Sequence, residues 1–384
     1  MAAMRTIKDV LNENKGMGPG FDQLRLFLAI AVVLWHSSQL VVGNNKWIDP
    51  TPLGAAGHAI LPMFFALSGF LVTGSALRAP FGVFILNRIL RIVPALAVEI
   101  CISALILGPI LTTVPLAEYF SSKEFFLYFS NILGMARFYL PGVFKTNPDG
   151  GMVNGSLWTV PFEIRCYVFL SAVILLGFLR RRLWLLPVTL FFMLVASSPY
   201  FYQVAHDAIV FKLILVPVGN KSSLFAYFFC GSLLYTFRDR IPCDGRLFVI
   251  SLVLYFGLPL TGDWLTTPVF DAVEFAQFLL LAYVTAYVGL LRLPRSKLLL
   301  DGDYSYGVYL YGYPIQQTVV FLFPEYRVWW FNFVVSIVLA MGAAMLSWHW
   351  IEKPILGLRR RFIKNEKPKA EGVAKMDPAL ERTG

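Results

Sequence analysis

Two residues that could carry proton-transfer chemistry stand in almost wholly apolar surroundings. His36 lies in FLAIAVVLWHSSQLVV, and Glu163 lies in LWTVPFEIRCY. An imidazole can take a proton from an attacking hydroxyl, and a carboxylate beside it can fix the tautomer and stabilise the imidazolium. His36 is therefore a candidate general base, and Glu163 is a candidate for the carboxylate that orients it.

The apolar surroundings of both residues indicate a membrane. The chain of 384 residues is 57% hydrophobic and 15% charged, with a mean hydropathy of +0.65, which is too apolar for a soluble domain. An ionisable side chain at the centre of a membrane helix costs at least about 2.5 to 3.5 kcal/mol, so such residues are functional candidates. For His36 there is also a structural interpretation, a packed histidine satisfied by a neighbouring helix.

Ten apolar segments approach the length of roughly 20 residues that a spanning helix needs. We predict spans at 22–42, 58–77, 90–112, 156–178, 183–199, 222–238, 246–260, 272–291, 304–323 and 329–351. The apolar run 124–136 is too short to span, and we expect an interfacial or re-entrant helix there. The predicted fold class is all-α, a polytopic transmembrane helix bundle of about ten spans.

Basic residues follow every second span, which predicts the orientation because Lys and Arg collect in cytoplasmic loops. These groups are Arg78 with Arg88 and Arg91, Arg180 to Arg182, Arg238 with Arg240 and Arg246, Arg292 with Arg295 and Lys297, and Arg359 to Arg361. Both termini are therefore predicted to be cytoplasmic. We divide the chain into a cytoplasmic N-terminal segment, 1–20, a transmembrane domain, 21–356, and a disordered cytoplasmic tail, 357–384.

Helical spacing relates His36 to Glu163 and to Arg25. At a rise of about 1.5 Å per residue, His36 and Glu163 lie roughly 9 and 10 Å below the outer surface, so contact is allowed although two helices can also lie far apart. Arg25 and His36 project from one face of the first span, about 16 Å apart. This separation suits a long donor with phosphates at Arg25 and its reactive end near His36. An interfacial arginine paired with Asp22 is the alternative.

The remaining charges and the cysteines favour structural roles. Glu99 and Arg165 are expected to neutralise one another or other polar groups. Four isolated cysteines without ligand spacing predict neither a disulfide nor a metal site. The net charge of +10 fits a cytoplasmic belt facing anionic lipids, so we expect membrane lipids and no nucleic acid among the partners.

Several motifs, in this order, resemble the acyltransferase 3 family of bacterial integral-membrane acyltransferases, which modify O-antigens, exopolysaccharides, Nod factors, peptidoglycan and macrolides. FDQLRLFLAIAVVLWH resembles the first-helix motif of an Arg or Lys, ten residues and a His, here Arg25 and His36. The further motifs are FFALSGFLV (64–72), NRILRIVP (87–94), LWTVPFEIRCY (157–167), SYGVYLYGYP and WIEKP. The similarity extends over nearly all of residues 20–356.

The resemblance implies roles for particular residues. His36 is the implied catalytic base, Glu163 belongs to the active site, and Arg25, Arg88 and Arg91 bind the acyl donor. We also expect Ser68, Tyr167 and Tyr309 at the substrate, although small residues serve helix packing and tyrosines form interfacial belts. Topology alone also accounts for the arginine pair.

The implied activity is membrane O-acyl transfer. An acyl group, with acetyl expected first, would pass from cytoplasmic acetyl-CoA to a hydroxyl of a cell-surface polysaccharide or lipid-linked sugar at the bacterial inner membrane. Direct transfer and an acyl-histidine relay are equally allowed, and a homodimer is possible. Gly312 stands where many members have histidine, and no esterase-like domain follows, so we expect a stand-alone member.

A multi-span transporter or flippase for a lipid-linked or sugar substrate is the alternative function. Buried charges among ten spans also describe a translocation path. Inverted repeats and paired broken helices, which favour a transporter, are not visible in the sequence. Acyl-CoA dependence discriminates between the two functions.

Overall fold

The structure, a computed structural model, describes residues 5–16, 18–179, 182–207, 222–260, 267, 270–293 and 302–357. Across these residues the structure is mostly helical and contains no strands, which confirms the all-α prediction for this part of the chain. The predicted tail over 357–384 lies, apart from Gly357, outside the described residues.

The helices follow one another with short connections in most places. They are α1 Ile7–Glu13, α2 Phe21–Val42, α3 Pro52–Arg78, α4 Phe81–Leu111, α5 Leu116–Ser121, α6 Lys123–Tyr128, α7 Gly155–Leu175, α8 Leu185–Ser197, α9 Pro199–Asp207, α10 Ser223–Thr236, α11 Gly245–Gly257, α12 Ala272–Leu290, α13 Ser305–Leu322 and α14 Trp329–Gly357.

Within the described ranges, six helices are long and apolar enough to cross a membrane: α2, α3, α4, α7, α12 and α14. Helices α8, α10 and α11 are shorter apolar helices. Each of the ten predicted spans coincides with a helix, whereas the count of ten spans and the cytoplasmic termini stay predictions. The run 124–136 forms α6 and a 3₁₀ turn, Phe129–Leu133, and is too short to span.

Helices α3 and α10 touch backbone to backbone. A Cβ atom built on Gly69 would lie 1.8 Å from the Phe228 carbonyl oxygen, and one built on Gly231 would lie 1.9 Å from the Ala66 carbonyl oxygen. The Ser232 hydroxyl also donates to the Gly69 carbonyl at 3.3 Å. Small residues that permit such close approach are typical of membrane helix interfaces, so the packing role of Gly69 is confirmed.

Helix α13 is held between α2 and α14 by a buried amide. Gln316 Nε2 donates to the Val33 carbonyl and to Ser37 Oγ, both at 2.7 Å. Asn332 of α14 donates to the Gln316 carbonyl at 3.0 Å. Buried polar groups must be paired, so these bonds fix the register of the three helices. A Cβ built on Gly312 would lie 2.9 Å from Val33 Cγ2, so α2 fills the space of a side chain at this position.

The long connection between α4 and α7 is tied to the bundle by Glu99. Its Oε1 accepts from Ser103 Oγ at 2.8 Å and from Asn154 Nδ2 at 2.9 Å, and Asn154 also donates to the Leu310 carbonyl at 3.0 Å. Of the two kinds of partner expected for Glu99, the structure therefore gives neutral polar groups and not Arg165.

The N-terminal segment, for which the sequence predicted no element, contains a docked helix. Thr6 and Asp9 form a capping box at the start of α1. The Ile7 amide donates to the Ile241 carbonyl at 3.0 Å, and the Cys243 amide donates to the Arg5 carbonyl at 2.8 Å. These bonds hold the buried side of α1 against the turn between α10 and α11.

Substituting Gly231 with alanine is expected to lower the thermal unfolding temperature of the detergent-solubilised protein. The added methyl group overlaps the Ala66 carbonyl, and overpacking of this kind costs about 1 to 3 kcal/mol. Gly342→Ala is the matched control, because a Cβ there meets no atom within 4 Å and alanine favours a helix by roughly 0.5 to 1 kcal/mol. Equal unfolding temperatures for both variants would contradict the close α3–α10 contact.

Candidate functional site

A cavity of about 390 Å³ lies among helices α2, α3, α4, α7, α10 and α13. Seven of the eight predicted site residues line it: Arg25, Ser68, Arg88, Arg91, Glu163, Tyr167 and Tyr309. The eighth, His36, is not part of the lining. Residues from five separate sequence motifs thus meet around one space.

Two of the arginines share a carboxylate that the sequence did not single out. Arg25 Nη1 donates to Asp303 Oδ2 at 2.7 Å, and Arg91 Nη2 donates to the same oxygen at 2.8 Å. The other oxygen, Oδ1, accepts from Ser305 Oγ at 2.5 Å. Asp303 therefore joins α2 and the start of α13 to α4.

Each of these arginines has a second carboxylate. Arg25 Nη2 donates to Asp22 at 2.5 Å, and Arg91 Nη1 donates to Glu352 at 3.0 Å. Glu352 ends a π-helical stretch of α14, Trp348–Glu352. Burial raises the pKa of Asp303, but the charges of Arg25 and Arg91 outweigh it, and the net pKa is below its ordinary value. The two arginines thus stabilise the ionised form of Asp303.

Arg88 differs from the other two, since it forms no ion pair with any described residue. Its guanidinium lies over the ring of Tyr167, 5.7 Å from the centroid, and its Nε is buried without a hydrogen-bond partner. Arg88 and Arg91 are three residues apart on α4 and project from one face of the helix. Arg88 consequently retains donor capacity for a ligand.

Glu163 pairs with a residue of its own helix. The Tyr167 hydroxyl, four residues further along α7, donates a short hydrogen bond to the Glu163 carboxylate. Ser68 of α3 also interacts with the Tyr167 side chain. Three predicted site residues, Ser68, Glu163 and Tyr167, therefore meet at the phenol group of Tyr167. All three line the same cavity as the arginines.

His36 lies beyond the end of the cavity. Its ring is half-buried and packs edge-on against Tyr313, with ring centroids 5.0 Å apart. The predicted hydrogen bond from His36 to Glu163 is not formed. The depth along each helix was the only basis for that bond, and depth does not fix the direction of a side chain around the helix axis.

A tyrosine marks the boundary between the cavity and His36. Tyr309 lines the cavity, and its hydroxyl bonds to Thr159 Oγ1 at 2.6 Å and donates to the Ser156 carbonyl at 3.1 Å. Tyr313 follows one turn later on α13 and contacts His36. One helical turn, roughly 6 Å, thus separates the cavity lining from the contact surface of His36.

Sequence reasoning missed two carboxylates, Asp303 and Asp149. Asp303 lies two residues before SYGVYLYGYP, and an acid at the start of a span near arginine-rich ends was a usable signal. Asp149 lies in PDGG, which is typical of a solvated turn. In the structure Asp149 accepts a short hydrogen bond from the Tyr313 hydroxyl and another from Gln39 Nε2 at 3.3 Å.

Comparisons with known proteins agree on one family. Residues 19–349 match a family model described as an acyltransferase domain. Nodulation protein 10 of Rhizobium leguminosarum bv. viciae is 28% identical over 366 residues, which cover 91% of this chain and 96% of that protein. An O-acetyl transferase of Shigella phage Sf6 is 25% identical and covers 91% and 97% of the two chains. No solved structure matches.

A more distant similarity reaches a longer protein. The O-acetyltransferase OatA of Staphylococcus aureus (strain NCTC 8325 / PS 47) is 22% identical over 375 residues. These cover 88% of this chain and 57% of OatA.

We expect Asp303→Asn to destabilise the protein strongly. The substitution leaves Arg25 and Arg91, whose side chains are 27% and 20% exposed, without their shared anion, and breaking a buried ion pair costs about 3 to 5 kcal/mol. Thermal unfolding in detergent measures the effect. The control is Asp22→Asn, since Asp22 is 66% exposed and, among the described residues, forms an ion pair only with Arg25. An exposed pair contributes up to about 1 kcal/mol. A shift for Asp303→Asn no larger than that for Asp22→Asn would refute the bridging role.

Proposed function

This chain belongs to the acyltransferase family whose model matches residues 19–349, and we propose that it is a multi-pass membrane O-acetyltransferase dependent on acetyl-CoA. The proposed acceptor is a hydroxyl of a cell-surface polysaccharide or of a lipid-linked sugar. Two of its relatives are named as O-acetyltransferases, which supports acetyl as the transferred group.

One observation carries the proposal. A single cavity is lined by three arginines, by Glu163 and by Tyr309, and it stops one helical turn short of the contact between His36 and Tyr313. A phosphate-rich donor requires several cations, and acyl transfer to a hydroxyl requires a base near the acyl group. The three arginines support the first requirement, and His36, which contacts Tyr313 one helical turn beyond Tyr309, supports the second.

The arginines fit a phosphate-bearing donor. Arg88 has no carboxylate partner among the described residues, and the buried Nε atoms of Arg88 and Arg25 have no hydrogen-bond partner. Guanidinium groups bind phosphate through charge-assisted, often bidentate, hydrogen bonds. Arg88 is accordingly the principal phosphate ligand. Arg25 and Arg91, which Asp303 holds in place, line the site beside it. When bound, the donor supplies its acyl group as a thioester.

His36 is assigned the proton transfer. The acceptor oxygen forms a bond to the acyl carbon as its proton moves to the imidazole, the carbon–sulfur bond breaks, and the released thiolate takes the proton from His36. General-base catalysis of this kind contributes about 10²- to 10⁴-fold to the rate. A relay through acyl-histidine uses the same residue as nucleophile.

Glu163 is assigned to the donor side. Its carboxylate holds the Tyr167 hydroxyl, and the Tyr167 ring lies under the Arg88 guanidinium. Glu163 therefore positions the ring on which Arg88 rests, and its effect on transfer passes through donor binding.

The membrane orientation follows from the basic loops. The positive-inside pattern assigns the arginine end of the cavity to the cytoplasm, where acyl-CoA is made, and His36 to the outer half of the bundle. We propose the bacterial inner membrane as the location, with acceptor sugars reaching the protein from the outer side.

His36→Ala is expected to reduce acetyl transfer by about 10²-fold or more, the contribution of a general base. The measurement follows radiolabel from acetyl-CoA into polysaccharide, in native membranes with equal amounts of each variant. His349→Ala is the control, because His349 is exposed and hydrogen-bonded to the Met345 carbonyl away from His36. Equal labelling with His36→Ala and wild type would remove His36 from the chemistry. If the wild type incorporates no label into polysaccharide, acetyl-CoA is rejected as the donor and the alternative function, a transporter, is favoured.

Arg88→Ala is expected to weaken binding of CoA to the purified protein by about tenfold or more, since a hydrogen bond to a charged group contributes about 1.5 to 3 kcal/mol. Isothermal titration calorimetry measures the dissociation constant. Arg182→Ala removes an arginine that pairs with Asp239 outside the cavity lining and is expected to leave the constant unchanged. Identical constants for both variants would contradict the donor site.

A further inference from the structure

A second polar cluster lies on the far side of His36 from the arginines. It consists of Gln39, Asp149 and Tyr313 beside His36. One Asp149 oxygen, Oδ2, accepts from the Tyr313 hydroxyl, and the other accepts from Gln39 Nε2 at 3.3 Å. Because the ring of Tyr313 also packs against His36, the Asp149 carboxylate and the proposed base contact the same side chain.

The loop that carries Asp149 is held from two further directions. Gly43, at the end of α2, has φ +83°, and a Cβ there would lie 2.8 Å from the Pro148 carbonyl oxygen. Asn147 Nδ2 donates to the Gln317 carbonyl at 2.9 Å and to Gln317 Oε1 at 2.7 Å. Asp149 is therefore fixed between α2 and α13 by its neighbours in sequence and is not a freely moving surface acid.

Asp149 retains hydrogen-bonding capacity. A carboxylate offers about four lone-pair sites, and the contacts with Tyr313 and Gln39 use two. Asp149 is half-buried and forms no ion pair with any described residue. Burial raises its pKa, and the hydrogen bonds from Tyr313 and Gln39 offset this only in part. A partly desolvated carboxylate without a cation is costly, and hydroxyl donors would satisfy it.

We propose that Asp149 binds the acceptor sugar. Its carboxylate accepts a hydrogen bond from one hydroxyl of the sugar ring, and the neighbouring hydroxyl of the same ring is the one that is acylated. This inference rests on the proposed function. With one hydroxyl held by Asp149, the neighbouring hydroxyl of the ring is presented to His36. The negative charge selects a neutral, hydroxyl-rich ligand and repels an anionic one. Tyr313 and Gln39 are positioning residues that hold the carboxylate.

The test uses purified protein in detergent, radiolabelled acetyl-CoA and surface polysaccharide isolated from a host strain that lacks this protein. Asp149→Asn keeps the shape of the side chain and removes its charge. The expected result is a rise of about tenfold or more in KM for the polysaccharide, as for the loss of a charged hydrogen-bond acceptor. The dissociation constant of CoA and the unfolding temperature are expected to stay at the wild-type values.

Two further variants separate binding from folding. Glu118→Gln removes an exposed carboxylate of the same connection, one that forms no hydrogen bond through its side chain with any described residue, and should change neither KM nor the CoA constant. Tyr313→Phe keeps the ring against His36 and removes the donor to Asp149, so KM should rise severalfold with CoA binding intact.

The outcomes are distinguishable. A wild-type KM for Asp149→Asn overturns the inference and leaves the proposed function standing. A parallel loss of CoA affinity, or a lower unfolding temperature with unchanged KM, assigns Asp149 a structural role and also overturns it. Absence of transfer by the wild type, with CoA still bound, rejects the proposed function itself.

Discussion

One carboxylate oxygen of Asp303 accepts hydrogen bonds from both Arg25 and Arg91, and the arrangement of the cavity depends on this shared contact. Two cations inside an apolar bundle repel each other and lose hydration, so neither is stable there without an anion. Asp303, two residues before the start of α13, supplies this anion. Asp22 and Glu352 complete the compensation, one on α2 and one on α14. The ion pairs thus join helices that are far apart in sequence.

These ion pairs divide the three arginines into two kinds. Arg25 and Arg91 are held by carboxylates on two sides, which limits their movement and leaves them as a fixed positive wall. Arg88 rests on the Tyr167 ring with its charge unopposed by a contacting acid in the described part of the chain. An anionic ligand gains most from a cation that is unpaired, because no internal ion pair has to be broken. The proposed donor site therefore combines two arginines fixed by ion pairs with a third, Arg88, whose charge is available to a ligand.

The sequence predicted the helices and most of the residues that line the cavity, but not the hydrogen-bond and ion-pair partners of those residues. Hydropathy located every predicted span on a helix, because membrane segments must satisfy their backbone internally. The spacing of Arg88 and Arg91 brought both to one face. The partner of Glu163 was missed, since a rise per residue fixes depth and leaves rotation about the helix axis free. Asp303 and Asp149 were missed because both lie outside the apolar segments, where the cost of burying charge singles out a residue. Only Asp303, beside the predicted span 304–323, offered another signal.

The distribution of charge around His36 bears on the choice between transfer and transport. Three arginines line the cavity on one side of Tyr309. The Asp149 carboxylate, which forms no ion pair with any described residue, lies on the other side and contacts Tyr313, as His36 does. A continuous path for a single ligand requires lining groups that suit the charge of that ligand along its whole length. Here an anion favoured by the arginines would be repelled at Asp149, and a neutral sugar suited to Asp149 would gain little from the arginines. A group transfer instead brings two different ligands together at one histidine. The opposite charges of the arginines and of Asp149 therefore favour group transfer over a continuous transport path.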